Sequence, residues 1–248
     1  MNSAVRKAYE VMWLLRRSST PLNLTEIARG IKIAPSTAHS ILGELLEQGA
    51  LLQDANRRYH IGPAMFYLGA SYHRNVPFYG RTWNSLVELA DSTALTAVIA
   101  VVWADHHLIL DVHKNAQPGL EVTFGGRVPL DAGAWGKAYF AWSKQSPTTL
   151  TAYTEKSIVD LPEYLEQVEE AREGGFAVDR DEFLVGAGAI ASGVTSDNGL
   201  EGVIALVGAL GQRSEADIVG VGQRLAVLAS TISYNLGDER RVKVLGHY

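Results

Sequence analysis

Residues 23–61 determine the fold of the N-terminal part of the chain. They read NLTEIARGIKIAPSTAHSILGELLEQGALLQDANRRYHI. Asn23 and Glu26 have the spacing of a capping box, which predicts that a helix begins there, and Gly30 is placed to end it. Pro35 suits the first position of the next helix, because its fixed φ and missing N–H cost nothing there. The stretch therefore predicts a short helix, a brief turn and a longer helix.

The flanking residues extend this pattern. Apolar residues near the start recur at helical spacing and predict an amphipathic first helix. They are Val5, Ala8, Met12 and Leu15. After the longer helix, residues 51–53 and 59–61 have the pattern of two short strands, and the turn between them ends in Arg57 and Arg58. A hairpin with a basic tip is typical of the wing in a winged helix-turn-helix domain.

The longer helix has two distinct faces. Its apolar stripe is Ala38, Ile41, Leu42 and Leu45. The opposite face therefore carries Ser36, Thr37, Ser40 and Glu44, with His39 at the boundary. Short polar side chains of this kind suit the major groove of DNA, where they can meet base edges and phosphates. An ordinary solvated helix face is the alternative.

Charge is distributed unevenly along the chain. The formal net charge is −5. Residues 1–75 contain nine Lys and Arg against five Asp and Glu, a net charge of +4, whereas the remainder contains 13 against 22, a net charge of −9. Because phosphate neutralisation needs local positive charge, this asymmetry favours a small nucleic-acid-binding module joined to a different domain.

Composition excludes several other classes. At 248 residues the chain is long enough for two domains, and 47% hydrophobic and 20% charged residues are ordinary globular values. No apolar run approaches the roughly 20 residues that span a bilayer, and the N-terminus lacks the pattern of a secretory signal. The chain has no cysteine, which excludes disulfides and thiolate metal sites. We therefore expect a cytoplasmic protein that does not associate with membranes.

From Pro77 onward the pattern changes. We expect a helix at 78–91, strands at 95–103 and 107–113, helices at 133–144 and 162–173, strands at 176–179, 190–195 and 202–207, and a closing helix at 215–236. Paired strands at both ends with helices between them indicate an α+β fold with an antiparallel sheet. The expected domains are 1–64, a linker helix region at 65–81, and 82–248.

Enzyme chemistry finds little support in this second region. The stretch from Gly133 to Ala138 lacks the Ser or Thr that follows Gly-Lys in a phosphate loop, and no Ser stands in a nucleophile elbow. Alternation along one strand would give His107, Asp111 and His113 a common face, near Asp105 and His106, where they could hold a metal ion. A solvated strand face is the favoured interpretation. We predict no catalytic residues, no cofactor and no enzyme.

Several motifs together resemble the IclR family of bacterial transcriptional regulators. In the N-terminal part these are LTEIA at 24–28, STAH at 36–39, residues 45–52 and YHIG at 59–62. In the C-terminal part they are GRVPL at 126–130, GAWGKA at 133–138 and GFAVD at 175–179, followed by Glu182 and Phe183. The motifs stand in family order and cover nearly the whole chain. The resemblance implies a winged helix-turn-helix domain and a GAF-like effector domain.

The resemblance implies two sets of functional residues. Candidate DNA contacts are Thr25, Lys32, Ser36, Thr37, His39, Ser40, Arg57 and Arg58. Candidate effector contacts are Gly133, Ala134, Trp135, Asp179, Ala189, Ser192 and Leu206, with Gly133 and Ala134 as amide donors and Asp179 as polar anchor. Each has a plain structural alternative: a glycine-permitted turn, a strand-end carboxylate, or a core strand.

Departures from the family pattern refine both expectations. Basic residues often flank the Ser-Thr-Ala-His core, but Pro35 and Ser40 stand here, which shifts phosphate binding toward Lys32 and the wing arginines. Family members that bind small acids tend to have polar side chains where Ala189, Leu206 and Gly208 stand. A pocket without those groups solvates a compact carboxylate poorly, and Trp135 adds an aromatic face, so we expect an aromatic or largely apolar effector.

These observations favour an effector-responsive regulator that binds a double-stranded DNA operator as a homodimer or homotetramer, since one recognition helix usually needs a symmetric copy. One alternative is a metal-dependent or other enzyme of small-molecule metabolism with an appended DNA-binding module. Another is a winged helix that binds protein rather than DNA.

Overall fold

The computed structural model describes the backbone of residues 3–115 and 122–245, and the side chains of these residues except 74 and 237–245. Contacts divide the chain into two compact units, Met1–Asn75 and Val76–Tyr248. The division falls inside the segment 65–81, while the boundaries expected for the domains and the linker stay a prediction. Within the described ranges, no helix is long and apolar enough to cross a membrane.

The N-terminal unit contains four helices and one hairpin in its described part. Its elements in order are α1 (Ala4–Arg17), α2 (Leu24–Gly30), α3 (Pro35–Glu47), β1 (Leu51–Gln53), β2 (Tyr59–Ile61) and α4 (Pro63–Asn75). The two strands pair antiparallel, with Leu52 opposite His60. This is the predicted winged helix-turn-helix arrangement, followed by a further helix.

Local signals set the start of α2 and α3. The side chain of Asn23 accepts from the Glu26 amide at 2.9 Å, and the Glu26 carboxylate accepts from the Asn23 amide at 2.7 Å, so the capping box is complete. Pro35 stands in the first turn of α3. The turn between the helices is closed by a hydrogen bond from the Ile33 amide to the Ala28 carbonyl, at 2.9 Å.

The core of this unit differs from the expected stripe on α1. Val11 and Leu15 are buried, whereas Val5 is 66% exposed. Ala8 and Met12 pack at the edge of the same core. The expectation that Val5 faces the core is wrong, because two overlapping apolar stripes are possible on this helix and the packing selects the one through Val11.

The C-terminal unit is built on one six-stranded sheet. Its elements are α5 (Tyr79–Thr93), β3 (Thr96–Trp103), β4 (His106–His113), β5 (Arg127–Pro129), α6 (Gly133–Trp142), α7 (Leu161–Gly174), β6 (Ala177–Arg180), β7 (Gly188–Ser196), β8 (Gly199–Gly208) and α8 (Glu215–Leu245). The strand order is β5-β4-β3-β8-β7-β6, and every neighbouring pair is antiparallel. The expected antiparallel α+β fold is confirmed; the short strand β5 was not expected.

Helices cover both faces of the sheet. One face packs with α5 and α8 in a core that contains Ile190, Leu206 and Leu225. The other packs with α6 and α7 in a core that contains Ala189 and Trp135. Alternate residues of each strand therefore enter different cores, as the pleat requires. We call these surfaces the α8 face and the α6 face.

Candidate DNA-binding surface and ligand cavity

The polar residues predicted on the DNA-binding helix lie on its outer side. Ser36, His39 and Ser40 on α3 are exposed, and Thr37 is half-buried. Their positions follow from the burial of Ala38, Ile41 and Leu42 on the opposite side of the helix. Thr25, in the first turn of α2, and Lys32, in the turn between α2 and α3, are also exposed. The unit thus presents short polar groups and one lysine on its helix-turn-helix.

An aspartate organises the tip of the wing. Oδ1 of Asp54 accepts hydrogen bonds from the amides of Asn56, at 2.9 Å, and Arg58, at 2.8 Å. Such a side-chain bridge is typical of a tight turn and allows the positive φ of 58° at Arg57. Arg57 is exposed at the tip. It is therefore well placed to reach a nucleic-acid backbone.

Arg58 has a different environment from Arg57. Its guanidinium donates to the Pro21 carbonyl at 2.9 Å and to the Glu26 carboxylate at 3.3 Å. The same Glu26 oxygen also accepts from the Asn23 amide, so Arg58 joins the wing to the start of α2. Its side chain is 41% exposed. Arg58 is thus engaged within the protein, which sequence pattern could not indicate.

The C-terminal unit holds a cavity of about 280 Å³ on the α6 face of its sheet. Its walls come from β4, β5, α6, β6, β7, β8 and the segments beside β5 and β6. They are Ile109, Val122, Thr123, Gly126, Arg127, Val128, Trp135, Asp179, Phe183, Leu184, Ala187, Gly188, Ala189 and Val207. The lining is mainly aliphatic and aromatic, which is the usual character of a small-molecule site.

Asp179 is a buried carboxyl in this lining. It is 3% exposed, and its Oδ1 accepts from the Glu182 amide at 2.7 Å. Burial raises the pKa of Asp179 to about 6, and the nearby negative charge of Glu182 acts in the same direction. The Glu182 amide and the charge of Lys137 oppose this rise. Asp179 therefore takes up a proton more readily than an exposed aspartate does.

Lys137 is a fully buried cation beside the cavity. It is 1% exposed, and its Nζ donates to the Val178 carbonyl at 2.9 Å and to Glu182 Oε1 at 2.6 Å. These bonds tie α6 to β6 and to the turn that follows. A buried ammonium needs such partners because its charge has left water. Lys137 therefore has a structural role: it fixes α6 against β6, and these two elements contribute Trp135 and Asp179 to the lining of the cavity.

The structure brings together some of the predicted effector residues. Trp135, Asp179 and Ala189 line the cavity. Gly133 and Ala134 are buried in the first turn of α6 and are not part of the lining. Gly133 nevertheless lies directly against the Asp179 carboxyl.

Two predicted effector residues lie elsewhere. Leu206 belongs to the core on the α8 face, and its neighbour Val207 lines the cavity instead. The hydroxyl of Ser192 donates to the Gly175 carbonyl at 2.7 Å. Ser192 lies two residues after Ile190 on β7 and so shares its face of the sheet, and Ile190 packs on the α8 face. Leu206 and Ser192 are therefore separated from the cavity by the sheet, because the side chains of a strand alternate between its faces.

A β-bulge breaks up the predicted histidine and aspartate face. The pairing of β4 with β3 shifts at Leu110, so Ile109 lies opposite Ala100 but Asp111 lies opposite Ile99. Consequently the odd-numbered residues before the bulge point to the opposite face from the odd-numbered residues after it. His107 faces α6, whereas Asp111 accepts from Tyr79 of α5.

His113 likewise pairs with Asp91 of α5, at 2.8 Å, on the far side of the sheet from His107. Within residues 3–115 and 122–245, no group of three or more potential ligands could hold a metal ion. The metal site considered as an alternative is therefore not assembled among the described residues.

The expected solvated strand face is wrong for His107. This residue is fully buried, with its ring 5.7 Å from that of Trp135 and 6.0 Å from that of Tyr139. Neither ring nitrogen of His107 has a hydrogen-bond partner among the described residues. Burial lowers the pKa of His107 to about 4, which keeps the ring neutral at physiological pH.

Solved structures with this architecture are known. The chain superimposes on the crystal structure of an IclR transcriptional regulator from Alicyclobacillus acidocaldarius with a TM-score of 0.80 and 26% identity, over 94% of this chain and 98% of the other. It also superimposes on an IclR homolog from Microbacterium hydrocarbonoxydans that is complexed with 4-hydroxybenzoate. The TM-score is 0.79 and the identity 18%, over 94% of this chain and 100% of the other. The second likeness concerns the fold.

Sequence comparison agrees. The HTH-type transcriptional repressor AllR of Escherichia coli K12 is 27% identical, over 94% of this chain and 90% of that protein. The model of the IclR helix-turn-helix domain matches residues 4–55, and the model of the bacterial transcriptional regulator IclR C-terminal domain matches residues 72–234. Since the second match alone spans more than half of the chain, the chain belongs to the IclR family of bacterial transcriptional regulators and is a regulator rather than an enzyme.

Proposed function

We propose that this regulator binds a double-stranded DNA operator with α3 and the wing, and that a small organic effector in the cavity changes its affinity for that operator. The observation that carries the proposal is the apolar cavity of about 280 Å³ in a unit separate from the winged helix. A ligand can shift affinity elsewhere only if it binds two arrangements of the protein unequally. The segment 65–81, which joins the units along the chain, is the proposed place of that change.

The proposed DNA contacts have distinct tasks. Ser36, Thr37, His39 and Ser40 reach base edges and nearby phosphates from α3, while Thr25 and Lys32 support them from α2 and the following turn. Because these groups supply little charge, Arg57 at the wing tip carries a large share of phosphate binding. Arg58 contributes from a position already tied to Glu26.

We infer that the effector is aromatic or largely apolar. Trp135, Phe183 and Val207 form a broad apolar wall, and Ala189 adds a methyl group where a polar side chain would have favoured a compact acid. A ligand carboxylate without a hydrogen-bonding partner is costly to bury against such a wall. The Microbacterium hydrocarbonoxydans protein, whose fold is the same, is complexed with 4-hydroxybenzoate, and this supports the proposal of an aromatic effector.

The proposed regulator acts in the cytoplasm as a homodimer or homotetramer. A single recognition helix contacts few base pairs, and a symmetric second copy doubles the contacts on half-sites about one helical turn apart. Sedimentation of the full chain with and without DNA measures this directly. A monomer on DNA would contradict it.

DNA binding is tested by genomic footprinting to find bound sites, followed by fluorescence anisotropy on a site at several salt concentrations. We expect salt-dependent affinity that falls when Arg57→Ala and Arg58→Ala are combined. Lys144→Ala with Arg180→Ala removes the same charge from the other unit and serves as the control. Equal losses in the two double variants would contradict the placement of the wing on DNA.

Effector binding is tested by adding aromatic acids, glyoxylate and pyruvate to the protein and its operator. We expect the aromatic compounds to bind and to shift operator affinity. Selective binding of the small oxoacids would overturn the proposed effector class.

A further inference from the structure

The lining of the cavity includes a cation that the apolar wall does not explain. Among the described lining residues, Arg127 is the only one with a positive charge. It lies on the edge strand β5, opposite Leu108 of β4. The next residue, Val128, also lines the cavity but is buried, whereas Arg127 is exposed. Arg127 therefore lies at the rim of the cavity, where the lining meets the solvent.

The backbone that leads into Arg127 is held against β4. The Gly126 amide donates to the Thr123 carbonyl at 2.9 Å, which closes a turn. The Ile109 amide donates to the Gly126 carbonyl, and the Gly125 amide donates to the Ile109 carbonyl, both at 2.9 Å. Thr123 is a second exposed residue of the lining. This anchored turn therefore presents a hydroxyl and a guanidinium at the same rim.

The guanidinium of Arg127 is not engaged by the protein. Among the described residues, it has neither a hydrogen bond nor an ion pair. The hydrogen bond from His106 lowers the pKa of Asp105, and the charge of Arg127 acts in the same direction, so Asp105 lies within range of that charge. The Asp105 carboxylate, however, is bound to Nδ1 of His106 at 2.9 Å. Arg127 therefore keeps a planar fork of N–H donors that fits a carboxylate from outside the protein.

The inner part of the cavity is unsuited to an anion. Its wall is apolar at Trp135, Phe183 and Val207. A carboxylate buried against that wall would lose its hydration and gain no cation. At the rim the same carboxylate keeps part of its hydration and meets Arg127. The lining therefore favours a ligand with an apolar body inside the cavity and a negative group at its rim.

We propose that the effector carries a carboxylate, and that Arg127 binds it at the rim of the cavity while the aromatic body of the effector packs against Trp135. The Thr123 hydroxyl is the second donor to the carboxylate. The proposal rests on the effector cavity proposed above and adds the charge of its ligand. A small oxoacid would satisfy Arg127 but would leave the apolar wall uncovered, so an aromatic monocarboxylate fits the whole cavity better.

The test compares each aromatic acid with its neutral amide. Benzoate is paired with benzamide, and 2-naphthoate with 2-naphthamide, so that the members of a pair share one ring system and nearly one shape. Titration calorimetry with the full chain at pH 7.5 measures each Kd in 50 and 200 mM salt. We expect each acid to bind about fivefold more tightly than its amide at the lower salt concentration. The difference should shrink at the higher one, because salt screens an exposed ion pair.

Arg127→Gln supplies the complementary arm. Glutamine keeps an amide donor but not the charge, so the affinity for the acid should fall to that for the amide, and the affinity for the amide should stay nearly constant. Arg224→Gln is the matched control, because Arg224 is an exposed arginine on α8, outside the lining. It removes the same charge from the same unit and should leave the ratio of the two affinities unchanged. Thermal unfolding of both variants shows whether they are folded.

Arg127→Glu tests the charge by reversal. A carboxylate at the rim should repel benzoate and attract benzamidine, a cation with the same ring and nearly the same shape. We expect the preference between these two ligands to invert relative to wild type. Unchanged ranking in Arg127→Glu would contradict a contact between Arg127 and the charged group of the ligand.

The outcomes separate the two proposals. Amides that bind wild-type protein as tightly as the acids overturn the proposed carboxylate while leaving the aromatic effector standing. A preference for the acids that survives Arg127→Gln, or that falls equally in Arg224→Gln, overturns the role of Arg127. If no acid and no amide binds, the aromatic effector itself fails and the proposed carboxylate contact fails with it.

Discussion

The carboxyl of Asp179 on β6 lies against the backbone of Gly133 at the start of α6, so closely that any side chain at position 133 would overlap it. Gly133 also has a positive φ of 44°, a conformation that L side chains rarely adopt. Glycine is thus required twice at this position, by its own backbone and by the aspartate. The contact couples the start of α6 to the wall of the cavity.

We predict that Gly133→Ala lowers the stability of the C-terminal unit. The left-handed conformation costs a non-glycine residue about 1–3 kcal/mol. Asp179 must also move to make room for the new side chain, so the affinity of the cavity for the proposed aromatic effector should fall. Calorimetric unfolding measures the first effect and titration the second.

Gly220→Ala is the matched control for this substitution. Gly220 lies within α8, and a Cβ added there would meet no described atom within 4 Å outside the neighbouring backbone of its own helix. Alanine at this position should therefore stabilise the protein by up to about 1 kcal/mol. A Gly133→Ala protein as stable as wild type would show that the contact with Asp179 is easily relieved.

His107 and Asp179 make opposing contributions to the pH dependence of stability. The pKa of His107 is lowered from 6.5 to about 4, so the unfolded chain binds its proton more readily and this contribution grows as pH rises from about 4 to 6.5. The pKa of Asp179 is raised from 3.8 to about 6, so the folded chain binds its proton more readily and this contribution shrinks as pH rises from about 4 to 6. The two effects oppose each other over the same window.

We therefore predict that single substitutions reveal them. Asp179→Asn should make the free energy of unfolding rise more steeply between pH 4 and pH 6 than in wild type, and His107→Leu should make it rise less steeply. Each difference should amount to about 3 kcal/mol across the window, because one pKa unit corresponds to about 1.4 kcal/mol. Urea unfolding at pH 4, 5, 6 and 7 measures it. Identical pH profiles for both variants and wild type would contradict the assigned shifts.

Local features of the fold could be predicted from the sequence to within a residue or two. The strands 51–53 and 59–61 and the start of α2 at Asn23 follow from turn and capping residues that lie beside them in the chain. These elements are specified by neighbours a few residues away. Sequence pattern is therefore sufficient for them.

The lining of the cavity depends on distant residues and was harder to predict. Alternation along β8 separates Leu206 from Val207, but only the packing of α6 and α8 decides which residue meets the cavity. The bulge at Leu110 is equally invisible in sequence, and it separates His107 from Asp111. The three-residue strand β5 was missed because it pairs with residues 106–108 of β4, so no short turn to its partner strand marks it in the sequence.

The two wing arginines should differ in their effect on DNA binding. Arg57→Ala removes an exposed cation, so the salt dependence of log K should fall by about 0.9, the value for one phosphate contact. Arg58→Ala should change this slope less, because its guanidinium is bound to Pro21 and Glu26. Anisotropy titrations at 50–200 mM salt measure both slopes.

Glu26→Gln completes the comparison of the arginines. Glutamine retains the capping interaction with the Asn23 amide but removes the charge that holds Arg58. We expect this variant to bind DNA more tightly and with a steeper salt dependence, since Arg58 is released toward phosphate. Equal slope changes for Arg57→Ala and Arg58→Ala would contradict the difference between them.

The buried pair of Lys137 and Glu182 should show strong energetic coupling. Lys137→Met leaves Glu182, whose side chain is only 13% exposed, without its cation, and breaking such a pair costs about 3–5 kcal/mol. Adding Glu182→Gln removes the uncompensated charge and should restore part of the loss, so the double variant is more stable than the sum of the single changes predicts. Urea unfolding at pH 7, followed by circular dichroism, measures all four proteins of the cycle. Strict additivity would mean that the 2.6 Å contact between Nζ and Oε1 contributes no coupling of its own.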